Sequence, residues 1–310
     1  MAKKKLTEIE LKIKQHTPPE INYKFHRTVS YSQYSIYASC PHKWYLTYVE
    51  NKAPYQASIH TVFGTAFHET LQAYLETLYK TSRVAANKLD LEALFQERFK
   101  TTYQKEYTGT KTHFTNPVEM REFYDDGVAI LNWIKKKSGG LFSIKNVRLL
   151  GIELPLIYKI SNNIYYKAFI DFALYDIDLN KLYIYDIKTS KGSWSDKQKK
   201  DKIKHDQLLL YKHYFSKIYG FDIDNIEVNF FIVKRKIWEE SEYPQPRVSL
   251  FSPPNGKTSV NRTLNSFDNF IKSCFDDTGK PYIKQHEKII GEDSCKWCPF
   301  NNDVTLCNKK

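Results

Sequence analysis

Two short loops constrain this chain more than any other stretch of it. Ser161-Asn162-Asn163 and Asp176-Ile177-Asp178-Leu179-Asn180 separate three runs rich in β-branched and aromatic residues: Leu149 to Ile160, Asn163 to Tyr175, and Lys181 to Thr189. Runs of this kind bounded by Asn, Asp and Ser read as strands joined by hairpin turns. Loop length then sets the register. A two- or four-residue loop centred on the second turn puts Asp171 opposite Asp186, with Cβ atoms about 5 Å apart. Alternation along a strand puts Lys188 on the same face as Asp186. A three-residue loop at the first turn brings Glu153 beside Asp171. Carboxylates held this close repel, and a divalent cation between them is the usual remedy. Three acids and a lysine on one patch of sheet outline metal-dependent phosphodiester chemistry. Taken singly, each acid is more simply a solvated strand residue. The alignment carries the reading, and a one-residue slip would send a strand's side chains to the opposite face.

Helices flank this meander on both sides in sequence. Residues 1–28 are polar and basic, with Pro18-Pro19 breaking any helix, and read as a tail with a short helix at most. Ser30 to Tyr48 is a helical stretch interrupted at Cys40-Pro41, where proline suits the first position of a new helix. Gly64 to Lys80 carries apolar residues at helical spacing. Leu89 to Lys105 and Pro117 to Lys137 continue the pattern, the latter expected to end at Gly139-Gly140, so that about 81–140 reads as a mainly helical insertion. After the strands, Ser190 to Lys204 is lysine-rich and expected to be mobile. Asp206 to Tyr219 is a helix closed by Gly220, and Ile226 to Val233 a buried strand reached by a crossover. A short strand at Arg247 to Phe251, a helix over Val260 to Phe275 and a cysteine-bearing segment at 290–310 follow. The order describes a mixed sheet covered by helices in one domain over 29–310, an α/β (α+β) class.

Charge and compartment narrow the partner. With 47 Lys+Arg against 35 Asp+Glu, the formal charge is +12, which suits a partner carrying phosphates. No apolar run is long enough to span a membrane. Met1-Ala2-Lys3-Lys4-Lys5 lacks the apolar core of a secretory signal. The expected compartment is the cytoplasm (a host cytoplasm for a viral protein), so the five cysteines are not read as a disulfide framework.

Asp171 followed by Asp186-Ile187-Lys188 resembles the signature of the PD-(D/E)XK nuclease superfamily. More specifically, the chain resembles its RecB-like branch, which includes CRISPR-associated iron–sulphur exonucleases and the nuclease domains of recombination helicase complexes. Gly64-Thr65-Ala66-Phe67-His68 matches the branch's early helix, Glu153 an acid on the first strand, and Gln207-Leu208-Leu209-Leu210-Tyr211 its Q-x-x-x-Y helix. Cys40, then Cys295-Lys296-Trp297-Cys298 and Cys307, match its four-cysteine pattern. The resemblance spans about residues 28–307, and six motifs in the family's order are far more specific than any one. The chain departs from the family in having Phe169-Ile170 before Asp171, and in a longer gap between Cys298 and Cys307.

The resemblance implies a restriction-endonuclease-like core and a role for each residue. Mg²⁺ prefers oxygen ligands, which suits Asp171, Asp186 and the carbonyl of Ile187. His68 is implied as a further ligand and would make Mn²⁺ a good alternative, although a lone helix histidine is more often a satisfied core residue. Lys188 would sit near the attacking water and offset charge on the phosphate. Gln207 and Tyr211 share a helix face, where they would bind phosphate or orient Lys188; Tyr211 reads equally as core. Lys191, Lys197, Lys199, Lys200, Lys202 and Lys204 follow the Asp-x-Lys strand with Trp194 among them. Lysines contact phosphates without reading sequence, and a tryptophan can stack on an unpaired base; the plain alternative is a solvated charge run. Cys40, Cys295, Cys298 and Cys307 would bind zinc or a 4Fe–4S cluster, closing the C-terminal segment onto Cys40. A single Cys-x-x-Cys knuckle, with the family pattern, favours iron–sulphur. Cys274 lies on an apolar helix stripe and reads as core.

The expected function is a Mg²⁺- or Mn²⁺-dependent deoxyribonuclease, an exonuclease acting on DNA ends or single strands in recombination, repair or replication. No P-loop is present, so any helicase or recombination partner is a separate protein. Two rivals stand beside it: a non-catalytic nucleic-acid-binding protein that keeps the fold and cluster as scaffold, and a structural zinc protein that binds other proteins.

Overall fold

The computed structural model describes residues 5–238 and 240–308. From the N-terminus it has helix α1 (Glu8–Gln15), strand β1 (Arg27–Val29), and helices α2 (Tyr31–Ser39), α3 (Pro41–Tyr48), α4 (Ile59–Lys80), α5 (Arg83–Lys88), α6 (Leu91–Thr110) and α7 (Pro117–Leu141). Strands β2 (Val147–Lys159), β3 (Ile164–Asp176) and β4 (Lys181–Ser190) follow. Helices α8 (Asp196–Lys200) and α9 (Lys202–Tyr219), strands β5 (Ile226–Lys234) and β6 (Val248–Phe251), and helices α10 (Lys257–Cys274) and α11 (Glu292–Cys295) complete the order.

Local chemistry sets the ends of these elements. Ser30, Ser58, Ser82, Asp90 and Asn116 each cap a helix by accepting a backbone N–H with the side chain. Cys40 is extended, and Pro41 opens α3 directly after it. Gly220, at φ +62, closes α9 in the left-handed region that glycine enters without strain.

The three-stranded meander has the expected register. In β3 and β4, Asp176 pairs with Lys181 and Phe172 with Tyr185, which leaves Asp171 and Asp186 as the next positions beyond the ladder. In β2 and β3, Leu154 pairs with Ile170 and Ile152 with Phe172, with Glu153 and Asp171 between them. The sheet runs β1-β3-β4-β5-β6 with β2 on the other edge of β3. It is mixed: β4 and β5 are parallel, β5 and β6 antiparallel. β1 adds a parallel strand that the sequence pattern does not reveal. On their shared edge of β3, β1 reaches residues 164–166 and β4 reaches residues 172–176, so the described ladders leave a gap at 167–171.

Each face of the sheet has its own core. One joins Leu156, Tyr166, Ile184 and Ile232 to Leu208 and Phe215 of α9, Phe267 and Phe270 of α10, and Trp44 of α3. The other joins Phe172, Ile187 and Phe231 to Phe63, Phe67 and Leu71 of α4, Phe95 of α6, and Ile130 and Ile134 of α7. Each large side chain buried this way contributes about 1.5–3 kcal/mol, so the two layers hold the sheet from both sides.

Several boundaries differ from expectation. α7 runs through Gly139-Gly140 to Leu141, because an interior glycine costs only about 1 kcal/mol and the buried face of the helix outweighs that. The stretch after β4 carries helix: Ser195 caps α8, and Asp201 accepts from the N–H groups of Ile203 and Lys204 to start α9 earlier than Asp206. In the N-terminal region, Thr7 and Glu10 form a capping box, and Ile9 is buried in the first core. Residues 1–4 of that tail lie outside the described residues. No helix among those described is long and apolar enough to cross a membrane.

Candidate active site

The strands part where the acids sit. Beyond the Phe172–Tyr185 pair, the Asp171 side chain takes over from the ladder: its Oδ2 accepts the Ile187 N–H at 2.5 Å. Ile170 belongs to the first core and Phe172 to the second, so the alternation of β3 slips at Asp171. Opposite this slip, Glu153 adopts φ +48, an uncommon left-handed conformation for a residue other than glycine. A fork in the sheet thus gathers carboxylates that a continuous ladder would hold in a flat row.

Helix α9 supplies one wall. Gln207 Nε2 donates to Asp186 Oδ1 at 2.7 Å, and its Oε1 accepts from Lys188 Nζ at 2.9 Å. Tyr211 Oη, one turn further on, accepts from Gln207 Nε2 at 2.9 Å. One amide therefore holds both the acid and the lysine, and a phenol holds the amide. Lys188 Nζ lies 2.9 Å from Asp186 Oδ2, but off the hydrogen-bonding direction, so that buried oxygen has no hydrogen-bond partner among the described residues. Asp186 is 2% exposed, whereas a third of the Lys188 side chain faces solvent. Tyr211 is buried within the first core as well, so its hydrogen-bonding and core readings both hold.

Helix α4 supplies the other wall. His68 Nδ1 lies 3.7 Å from Asp171 Oδ2. Gln72, one turn later, donates to Glu153 Oε1 at 2.6 Å and to the Asp171 carbonyl at 3.3 Å. Gln72 is absent from the residues that the sequence singles out, yet it ties Glu153 to the backbone of Asp171. The available signal is its position four residues after His68, on the same helix face.

The electrostatics follow from this crowding. Burial, and then the charge of Asp186, push the Asp171 carboxyl well above the carboxylate range; the Ile187 N–H and Lys188 oppose this and lose. Burial pushes the His68 imidazole down to about 4, so it is neutral near pH 7 with a lone pair to offer. Burial, followed by Asp186 and Asp171, raises the Tyr211 phenol well above its ordinary value.

These groups fit a hard divalent cation. The donors are carboxylate oxygens and a neutral imidazole, one buried carboxylate oxygen has no hydrogen-bond partner among the described residues, and burial with the charge of Asp186 drives the neighbouring Asp171 towards its protonated form. As they stand, no three His, Cys, Asp or Glu side chains among the described residues are posed as a closed metal site. The acids are instead turned towards Ile187, Gln207 and Lys188.

The lysine-rich segment leads away from this site. Lys191, Lys197, Lys199, Lys200 and Lys202 are exposed, and Lys204 is half-buried beside Asp201. Trp194 corrects the expectation of a base-stacking residue. It is 8% exposed and packs on Phe230 and Phe251, with Lys204 Nζ 5.8 Å from its ring, so its faces belong to the core. Cys40, Cys295, Cys298 and Cys307 line one small cavity with Lys43, Lys288 and Phe300. Burial raises the Cys307 thiol, and the other three thiols raise it further. Two contacts of His42 secure the same junction, its N–H donating to the Glu287 carbonyl and its Nε2 lying 2.8 Å from the Leu306 carbonyl. Cys274 is fully buried in the first core. A larger cavity of about 770 Å³, along the second half of α9, shares none of the acid-site residues.

The family model of the PD-(D/E)XK nuclease superfamily matches residues 28–302. A comparison with curated proteins finds no match.

Proposed function

The chain belongs to the PD-(D/E)XK nuclease superfamily, and from that premise we propose that it is a divalent-metal-dependent deoxyribonuclease of the RecB-like branch. Members of the superfamily usually use Mg²⁺ or Mn²⁺. In this reading it is an exonuclease that degrades DNA from ends or along single strands in recombination, repair or replication, with any helicase supplied by a separate protein. The observation that carries the proposal is the buried Oδ2 of Asp186, which has no hydrogen-bond partner among the described residues although Lys188 Nζ lies 2.9 Å away, beside the raised carboxyl of Asp171.

Asp171, Asp186, the Ile187 carbonyl and His68 would hold the cation. Once bound, it would neutralise phosphate charge and make a nearby water easier to deprotonate. The chain's own residues do the rest. Gln207 fixes the Lys188 ammonium against Asp186, where it can position the attacking water and offset charge developing on the phosphate. Tyr211 keeps the Gln207 amide in that orientation. Gln72 holds Glu153 at the edge of the site. Lysines on α8 and at the start of α9 contact backbone phosphates, which favours binding without sequence preference. The cysteine cavity is read as a 4Fe–4S site, with zinc as the alternative.

The test is degradation of 5′- and 3′-labelled DNA, single- and double-stranded, with Mg²⁺ or Mn²⁺ and with chelator. Cleavage should need the cation and vanish in Asp186→Ala, while DNA binding and fold persist. Lys188→Ala should lower kcat far more than it raises KM, because its contribution is made in the transition state. Cation-dependent cleavage that survives in Asp186→Ala would move the site elsewhere. Binding without cleavage under any condition would favour the non-catalytic rival.

A further inference from the structure

The cysteine-bearing segment does more than close the fold at Cys40. Its surface presents Trp297, a large aromatic residue that is 82% exposed, between Cys295 and Cys298. Lys296 Nζ lies 5.7 Å from the indole ring. The segment is also tied to the lysine-rich helix: Lys197 Nζ of α8 donates to Asp293 Oδ1 and Oδ2 at 2.8 and 3.0 Å. Asp293 lies in α11, and Trp297 in the turn that directly follows the cap residue Lys296.

These contacts mark out a rim of lysines along α8 and the start of α9. Lys188 is held by Gln207 on α9. Lys202 lies about 7.5 Å back along the same helix, at 1.5 Å per residue. Lys200 and Lys199 precede it on α8, then Lys197, Asp293 and Trp297. Exposed lysines therefore lead from the acid site to an open indole face.

We propose that this rim holds an unpaired DNA strand, with Trp297 stacking on a base and the α8 lysines contacting its phosphates; the inference rests on the nuclease reading of the acid site. An indole needs the flat face of a base, which a duplex hides in its stack and a single strand offers. The acids near the lysines are Asp196 and Asp201 on α8 and at its end, and Glu292 and Asp293 on α11. The Lys197–Asp293 pair is 79% and 84% exposed at its two side chains, a class of ion pair that contributes little and that phosphate can displace. Trp194, the other tryptophan in this region, is buried against Phe230 with Lys204 Nζ 5.8 Å from its ring and has no open face to offer a base.

The test measures binding apart from cleavage. Full-length protein, purified anaerobically and carrying Asp186→Ala so that nothing is cut, is titrated into labelled oligo-dT and into a blunt duplex of equal length. Anisotropy and tryptophan quenching report binding. Trp297→Ala should weaken oligo-dT binding about ten-fold, while Trp297→Phe keeps most of the affinity. Duplex affinity should change about two-fold or less, and the melting temperature should hold because the ring is exposed. Asp293→Asn should tighten oligo-dT binding by releasing Lys197. Unchanged oligo-dT affinity in Trp297→Ala overturns the proposal, and so does an equal loss on duplex. If the wild type cuts DNA while Trp297→Ala binds as its parent does, only this inference falls. If the chain neither binds nor cuts DNA, the nuclease reading falls with it.

Discussion

Asp171 stands under opposing forces whose balance can be measured. Its raised pKa means that the stability it contributes is complete below the ordinary 3.8 and is lost as pH rises through the folded value. His68 runs the other way: its contribution is complete above 6.5 and is lost as pH falls through about 4. In cation-free protein Asp171→Asn keeps an acceptor for the Ile187 N–H and removes the repulsion with Asp186. The variant should therefore gain about 1–2 kcal/mol near pH 8, and much less near pH 4, by urea unfolding. It should be inactive at both. An equal gain at both pH values, or a loss, would show that the carboxyl is not strained. The row of acids is legible in the sequence because turn chemistry and loop length set register residue by residue. The left-handed Glu153 is not, since nothing in Ile152-Glu153-Leu154 marks it. Gln72 escapes notice because a glutamine on a helix says nothing until the strand beside it is placed.

At the scale of elements, the start of α9 is the joint on which the site depends. Asp206, 1% exposed, accepts from Tyr34 Oη at 2.9 Å, from Arg262 Nη2 at 2.6 Å and from Thr263 Oγ1 at 2.6 Å. It thereby locks α2, α9 and α10 together one residue before Gln207. Asp206→Ala strands buried hydroxyls on two helices and should cost about 2–4 kcal/mol, read as a lower denaturant midpoint. An unchanged midpoint would mean that the apolar packing of α9 suffices. The lysines beside this joint allow a separate measurement. Replacing Lys197, Lys199, Lys200 and Lys202 should flatten the salt dependence of single-strand binding by about 0.7 for each phosphate no longer neutralised. Lys197 should contribute least, because Asp293 already occupies it. An unchanged slope would leave the run as a solvated face. Composition makes the lysines legible but cannot tell which aromatic residue near them is core: Trp194 is buried by Phe230 and Phe251, and Trp297 is left outside.

For the whole molecule, the two layers and mixed sheet are legible from the order of elements and their apolar periodicity. The short β1 and the packing of α1 against α9 are not, since three residues carry too little pattern and tertiary packing decides both. The cysteine junction joins distant parts of the chain. If it holds a 4Fe–4S cluster, anaerobically purified protein should be brown, absorb broadly near about 400 nm and contain about four irons per chain. Cys298→Ser should lower the melting temperature through the freed junction, by analogy with opening a long covalent loop, while Cys274→Ser keeps the metal. A colourless protein with one zinc would replace iron and leave the fold argument intact. Full stability without any metal would remove the site.

That junction also orders the protein's assembly in time. Cys40 leaves the ribosome early, while Cys295, Cys298 and Cys307 emerge only after every strand of the sheet has been made. The cavity they line cannot exist on a nascent chain that stops short, nor can His42 meet the carbonyls of Glu287 and Leu306. The acids on β3 and β4 are synthesised well before that point. Translation thus delivers the acids of the candidate site first and the closing segment last, so a truncated product would carry the acids without the segment that bears Trp297.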